Sequence, residues 1–368
     1  MTRFQYRHVH HLFSNYIDKS KLKKMKSSKK LLFIIKERSS YGSKTSCYGL
    51  VNSCEFISNA LSKIGYECKV VQVNDNNDID REVFNYKPTH VFIEALWVIP
   101  EKFVELSKLH PKVKWIIRIH SMIPFLVTEG MCFDWINKYL ELKRAGINIE
   151  VSLNNLELYK DFEPLYGKDN ISYSPNIYKP SFKGENKYFY PVNKTPVVLN
   201  IGCFGALRVL KNHVQQAVYS IIFAEKSEKI LNFHINVSDF EKEESTPVLK
   251  NLRALFKDRK HKLIEHPWLQ HTDFLSLVSK MDLGLQLSFT ETFSIVSADF
   301  VYSGVPIVTS DEIDFVLPSF RASPTDYNSV ETAMFLALKC KNISIANKIF
   351  LDEFNEKSIK YWIKLIER

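Results

Sequence analysis

The chain has 368 residues, 45% of them hydrophobic and 25% charged, a composition that fills a large core and a length that suits two domains better than one. Eleven Gly and 14 Pro exclude a fibrous or low-complexity protein, and no apolar run approaches the ~20 residues that span a bilayer. The formal net charge of +9 is local: residues 1–40 hold eleven bases against two acids, and the rest of the chain is balanced.

Seven lysines fall between Lys19 and Lys30. Such an arm either grips a polyanion, a nucleic-acid backbone or an anionic membrane surface, or is a solvated leader. The residues after Met1, TRFQYRHVHH, lack the apolar stretch of a secretory leader. Cys47, Cys54, Cys68, Cys132, Cys203 and Cys340 form no C-x-x-C pair. A reduced, cytoplasmic chain without disulfides or structural zinc is the expectation. His8, His10 and His11 lack supporting carboxylates or thiols, so no metal site is read there.

Taken in chain order, residues 1–30 form the basic arm. The strand expectations over 31–176 are LLFII (31–35), CKVVQV (68–73), THVFIEA (89–95), VKWIIRI (113–119), INIEVSL (147–153) and ISYSP (171–175). Residues 51–65, 100–110 and 133–146 repeat apolar side chains three and four apart, as amphipathic helices do. Strand alternating with helix implies parallel strands joined by crossovers, a doubly wound α/β domain. Residues 177–196, rich in Pro and polar groups, read as a linker.

The pattern then restarts over 197–345: strands at 197–202, 232–237, 262–266, 283–288 and 305–310, with helices near 212–227, 247–258, 272–281 and 295–303. Two helices close the chain, and the terminal one (346–368) is expected to pack back on the first domain. The fold class expected is α/β, two Rossmann-like doubly wound domains facing a cleft. Ligands of such sheets bind beyond the carboxyl ends of the strands.

Three places along that cleft carry chemistry. In LGLQLSFTETFSIVSADFVYSGVPIVTSDE (283–312), Glu291 lies in a loop after a strand and Asp299 lies two turns along a helix expected to begin near Phe293. The unpaired N–H groups of Thr292, Phe293 and Ser294 suit a phosphate or sugar hydroxyl, and the two carboxylates suit hydroxyls of one extended ligand. Earlier, Gly202 and Gly205 allow backbone to approach a ligand, and Arg208 and Lys211 bring two cations to a helix start: a diphosphate clamp or two solvated side chains. In the first half, His120 ends a strand, as a ligand contact or a satisfied structural histidine. Glu94 interrupts an apolar strand, where an unpaired carboxylate is costly; it reads equally as acceptor contact, base, helix cap or salt-bridge partner.

The segment SFTETFSIVSADFVYSGVPIV resembles the E-x7-E signature of retaining glycosyltransferases with the two-domain B fold (GT-B), with Thr292 and Ser294 in place of glycines and Asp299 in place of the second Glu. The resemblance implies that Glu291 contacts the donor sugar, that Asp299 holds the nucleotide ribose, and that a loop Gly (Gly202), an Arg and Lys211 bind the diphosphate. Cys203 follows Gly202, so the arginine role passes to Arg208 or is absent. It further implies that His120 touches the donor sugar and that the loop at Pro267 and Trp268 meets the base, although Trp268 also reads as core. Gly42, Ser46, Tyr48 and Gly49 lie in the first strand-to-helix loop, and Ser46 and Tyr48 are the candidates for acceptor binding beside Glu94. The co-substrate implied is a nucleotide sugar of the UDP-sugar type, with no essential metal.

The segments NSCEFISNALSKIG and THVFIEALWVIPEKFVELSKLHPKVKWIIRIHS resemble glycosyltransferases of tailed bacteriophages, some of which modify hydroxymethylated pyrimidines in DNA. That likeness implies double-stranded DNA as partner, with the arm on the phosphates and the base flipped into the cleft. Two rivals remain: transfer to a lipid or polysaccharide at a membrane surface, and a non-catalytic nucleic-acid- or sugar-binding module.

Overall fold

The computed structural model describes residues 28–37, 39–40, 43–44, 48–128, 130–180, 197–238, 246–340 and 343–368. Most of the basic arm, His8, His10, His11, Gly42, Ser46 and the Tyr48 side chain lie outside the described residues.

In the first half, Lys30–Lys36 is β1, and Leu31 through Ile35 are each fully buried, as a strand covered on both faces requires. A hairpin of β2 (Ser39–Ser40) and β3 (Ser43–Lys44) leads to α1 (Tyr48–Ile64), β4 (Glu67–Val73), α2 (Asp78–Tyr86), β5 (His90–Glu94), α3 (Lys102–Leu109) and β6 (Lys114–Ile119). There follow α4 (Ile123–Leu126), α5 (Cys132–Arg144), β7 (Ile149–Leu153), α6 (Leu156–Tyr166) and β8 (Ile171–Tyr173). The six long-range strands are parallel in the order β4-β1-β5-β6-β7-β8. Alternate residues of β1 serve opposite faces, as the two-residue period of a strand dictates. Leu31, Phe33 and Ile35 pack under α1, and Leu32 and Ile34 pack with side chains from α2, α3 and α5.

In the second half, β9 (Val198–Gly202) runs through a 3-10 turn at Val209–Lys211 into α7 (His213–Lys226), then β10 (Ile230–Asn236), α8 (Pro247–Phe256), β11 (Lys262–His266), α9 (His271–Val278) and β12 (Leu283–Gln286). The chain continues with α10 (Ile295–Tyr302), β13 (Ile307–Thr309), α11 (Tyr327–Lys339) and α12 (Ile343–Glu367). This sheet is also parallel, ordered β11-β10-β9-β12-β13. Each sheet therefore reverses its winding beside its first strand, between β1 and β5 and between β9 and β12. The reversal opens a crevice at the carboxyl ends of those strands.

Helix α12 ties the halves together. Phe354 stacks on Phe293 with ring centroids 5.5 Å apart, and Asn347 Oδ1 accepts from the Leu317 N–H, both in the second domain. Two turns later Trp362, fully buried, packs on Phe33 and Phe92 of the first sheet. Between them, Asn355 exchanges two hydrogen bonds of 2.7 and 2.8 Å with the Tyr178 backbone.

Two details differ from expectation. Helices α2 and α6 were not anticipated, because each buries only one apolar pair on its inner face, Ile79 with Val83 and Leu158 with Phe162. Helix α10 spans Ile295–Tyr302, in line with the 295–303 reading and two residues past the start near Phe293 also given, because the Ser294 side chain accepts from the Ser297 N–H and acts as the cap. Among the described residues no helix is long and apolar enough to cross a membrane.

Candidate active site

Opposite charges in neighbouring apolar strands set the floor of the cleft. Glu94 on β5 and Arg118 on β6 are register partners, and both are fully buried. Arg118 Nη1 donates to Glu94 Oε2 at 2.9 Å, its Nε donates to the Ser174 carbonyl at 2.9 Å, and Nη2 donates to Asn176 Oδ1. Its guanidinium also lies 5.2 Å from the Trp362 ring centroid. Glu94 is thus salt-bridged, one of the alternatives its place in the strand allowed. Burial pushes its carboxyl up, but the charges of Arg118 and His120 outweigh that and hold it down at about 2. Beyond Glu94, Ala95 takes a left-handed φ of 72°, fixed by its N–H to the Arg118 carbonyl at 2.9 Å.

His120 sits one residue past β6, with Nε2 against Glu94 Oε2. Burial and the adjacent Arg118 charge push its pKa down, so the imidazole is neutral at pH 7. With Glu94 ionised, the proton resides on Nε2 and points at the carboxylate. Nδ1 then accepts from Asn154 Nδ2 at 3.4 Å.

Across the cleft, residues 203–212 are stitched to the loop after β12. Asn212 Nδ2 donates to the Leu287 carbonyl at 3.2 Å, the Phe289 N–H to Leu210 O at 2.9 Å, and the Leu287 N–H to Gln216 Oε1 at 2.9 Å. That stitching brings Lys211 Nζ into an ion pair with Glu291. Arg208, exposed, lies 5.1 Å from the Phe125 ring of the first domain. Gly205 (φ 113°) lines the cleft and gives its N–H to Asn236 Oδ1 at 3.2 Å. Gly202 does not reach the cleft wall. A Cβ there would stand 2.6 Å from Phe204 and 2.8 Å from Phe300, so its role is to let two aromatic rings close over the strand.

Asp299, 1% exposed, accepts from His271 Nε2 at 2.7 Å and from the Tyr178 hydroxyl at 2.5 Å, both on Oδ1. Burial raises its pKa, and these two hydrogen bonds oppose the rise. The shifted start of α10 moves the cleft-side unpaired donors from residues 292–294 to the N–H groups of Ile295 and Val296. The Phe293 ring turns inward onto Phe315 and Phe354.

These groups surround one cleft of about 860 Å³, lined by Glu94, His120, Arg208, Lys211, Glu291, Thr292, Asp299 and Trp268 among others, which is large enough for a nucleotide sugar. Gly205, Phe293, Ser294 and Gly49 line it too, and Gly202 does not. Among the described residues no group of three or more His, Cys, Asp or Glu side chains is placed to hold a metal ion.

Solved structures with this arrangement are known. A UDP-forming α,α-trehalose-phosphate synthase from Burkholderia xenovorans superposes with a TM-score of 0.64 over 92% of this chain and 98% of its own, at 11% identity. The N-terminal domain of Candida albicans trehalose-6-phosphate phosphatase gives 0.63 over 94% and 97%, at 12% identity. A sucrose-phosphate synthase from Thermosynechococcus elongatus gives 0.61 over 92% and 98%, at 13% identity. The chain has the GT-B fold. No protein-family model and no curated protein matches its sequence.

Six residues that line the cleft or stand behind its wall have no counterpart in the sequence reading: Asn154, Asn176 and His271 line it, and Arg118, Asn155 and Tyr178 support residues that do. Arg118 alone carried a signal, a charge inside an apolar strand that mirrors Glu94 one strand away. The asparagines and Tyr178 lie in strand-end segments whose polar residues resemble any loop, and His271 opens a helix whose neighbour in space, Asp299, is 28 residues away.

Proposed function

We propose that this protein transfers a glycosyl group from a UDP-sugar to a hydroxyl acceptor with retention at the anomeric carbon. The acceptor we propose is the hydroxymethyl group of a modified pyrimidine in double-stranded DNA. The observation that carries the transferase reading is the Lys211–Glu291 pair at the carboxyl edge of the second sheet, set in the same cleft as the Glu94–His120 pair of the first. The UDP-forming activity named for one protein of the same fold supports the choice of donor. The DNA acceptor is supported by the lysine-rich residues 19–30 and by the likeness of residues 52–65 and 89–121 to phage enzymes.

In the proposed reaction the bond from the anomeric carbon to the diphosphate oxygen breaks and the acceptor oxygen bonds to the same face. The acceptor proton passes to an oxygen of the departing phosphate, so UDP leaves and no side-chain base is consumed. Lys211 carries three N–H donors, of which Glu291 takes one, leaving two for phosphate oxygens. The Arg208 guanidinium and the N–H groups opening α10 face the same space and meet the charge that grows on the leaving group. Glu291 serves the sugar hydroxyls, and Asp299 the ribose, with one oxygen already committed to His271 and Tyr178.

Incubation with a panel of UDP- and other nucleotide sugars, hydroxymethylated and plain duplex DNA, and hexose phosphates, followed by mass spectrometry, tests this reading. The expected product is a glycosylated hydroxymethylpyrimidine, absent with Glu291→Ala. Transfer only to hexose phosphates overturns the DNA acceptor, and no transfer or donor hydrolysis across the panel overturns the transferase reading.

A further inference from the structure

Thr292 follows Glu291 in the second domain, yet every hydrogen bond its hydroxyl makes is to the first. Its Oγ1 donates to the His120 carbonyl at 3.0 Å and accepts from Asn154 Nδ2 at 3.2 Å. Its own carbonyl accepts from Asn155 Nδ2 at 3.3 Å. One residue thus holds the ends of two adjacent strands, β6 through His120 and β7 through Asn154 and Asn155.

The receiving side is rigid. Asn155 Oδ1 caps α6, accepting from the N–H groups of Glu157 and Leu158 at 2.9 and 3.0 Å, which fixes the amide plane and aims Nδ2 outward. Asn154, 2% exposed, is packed beside the Glu94–Arg118–His120 cluster. On the other side, the loop carrying Thr292 is pinned by the Glu291 N–H to Glu312 Oε2 at 3.2 Å and by the Ser294 cap. Both ends of the contact are held by their own domains.

We propose that Thr292 is a positioning residue: its hydroxyl latches the two domains in the closed arrangement that sets Glu291 opposite His120. The latch makes assembly of the site depend on closure. The carbonyl of His120 is held by the residue next to Glu291, so opening the cleft separates the two candidate catalytic halves. A side chain of the same shape without the hydroxyl leaves Asn154 Nδ2 and the His120 carbonyl short of a partner across the gap, and water entering to satisfy them favours the open form.

Two measurements test the latch, and the first does not depend on the proposed reaction. Nitroxides at Lys108→Cys and Lys250→Cys, both exposed and one in each domain, in a background carrying Cys47→Ser and Cys340→Ser, give the interdomain distance by double electron–electron resonance. Thr292→Val is expected to lengthen and broaden that distance, and Thr292→Ser to leave it unchanged. An unchanged distance in Thr292→Val overturns the latch. The second measurement rests on the glycosyltransferase reading. Thr292→Val is expected to lower kcat about tenfold with KM for the nucleotide sugar within about twofold, and Thr292→Ser to restore kcat. A raised KM with kcat intact makes Thr292 a donor contact and overturns the positioning role. If the distance responds and no sugar is moved, the latch stands and the reaction does not.

Discussion

Lys211 and Glu291, 80 residues apart in the chain, meet as an ion pair on the second-domain wall of the cleft. Neither side chain reaches that place by its own element alone. Lys211 ends a 3-10 turn, Glu291 stands in the loop after β12, and the hydrogen bonds of Asn212, Leu210 and Gln216 to residues 287–289 join the two loops.

Lys211→Ala is expected to reduce kcat by about 10²–10³, the loss that follows removal of one preorganised donor from a developing anion. Lys211→Arg keeps the charge but not the compact three-donor head, and recovers part of the rate. Steady-state kinetics with the nucleotide sugar found in the panel check this. A rise in KM with kcat unchanged assigns Lys211 to uniform binding of the donor rather than to stabilising the leaving group.

Gly202→Ala is expected to destabilise the fold by about 1–3 kcal/mol, because the new Cβ meets the Phe204 and Phe300 rings at 2.6 and 2.8 Å in a packed core. Urea unfolding gives the loss, and calorimetric titration of the surviving folded protein with the nucleotide is expected to give near wild-type affinity. A variant of wild-type stability that has lost nucleotide affinity makes Gly202 a ligand-approach glycine instead.

The fold was legible because its signal is repetitive. Short Val- and Ile-rich runs such as VKWIIRI alternate with amphipathic helices, and that alternation calls for parallel strands joined by crossover helices, here broken into two sets by residues 177–196. That Glu291 and Asp299 line one cleft was legible because one continuous segment, strand, loop, helix and strand, carries both. The partners of those residues were not. Thr292 looked like a donor-side residue because local sequence shows its neighbours in the chain, whereas its hydroxyl bonds join it to His120 and Asn154 of the other domain. Tyr178 and His271 approach Asp299 from a strand-end segment and from another helix, a meeting that no periodicity records. The glycine at 202 read as a ligand approach because a strand-end glycine in such a loop serves either purpose, and only the positions of Phe204 and Phe300 decide which.

Acid is expected to destabilise the protein from about pH 6.5 downward. Burial, reinforced by the Lys211 charge, pushes His213 down to about 3, and burial likewise holds His234 and His90 at about 4 each, below the ordinary value of 6.5. Between those folded values and 6.5 the unfolded chain binds protons that the folded chain does not, so stability is complete above pH 6.5 and falls as pH falls. Each histidine contributes a slope of up to about 1.4 kcal/mol per pH unit. Glu94, held at about 2 in the fold against an ordinary 4.5, extends the trend: its stabilising ion pair is present above pH 4.5 and is lost as pH falls toward 2. Urea midpoints measured from pH 8 to pH 5 are expected to be level above pH 7 and to fall below it. His213 is 2% exposed and neither of its ring nitrogens has a hydrogen-bond partner among the described residues, so His213→Leu removes one titrating group without breaking a bond seen there and flattens the slope by about one proton. Midpoints that stay level down to pH 5 in the unmodified protein sink the assignment of these histidines as buried neutral groups.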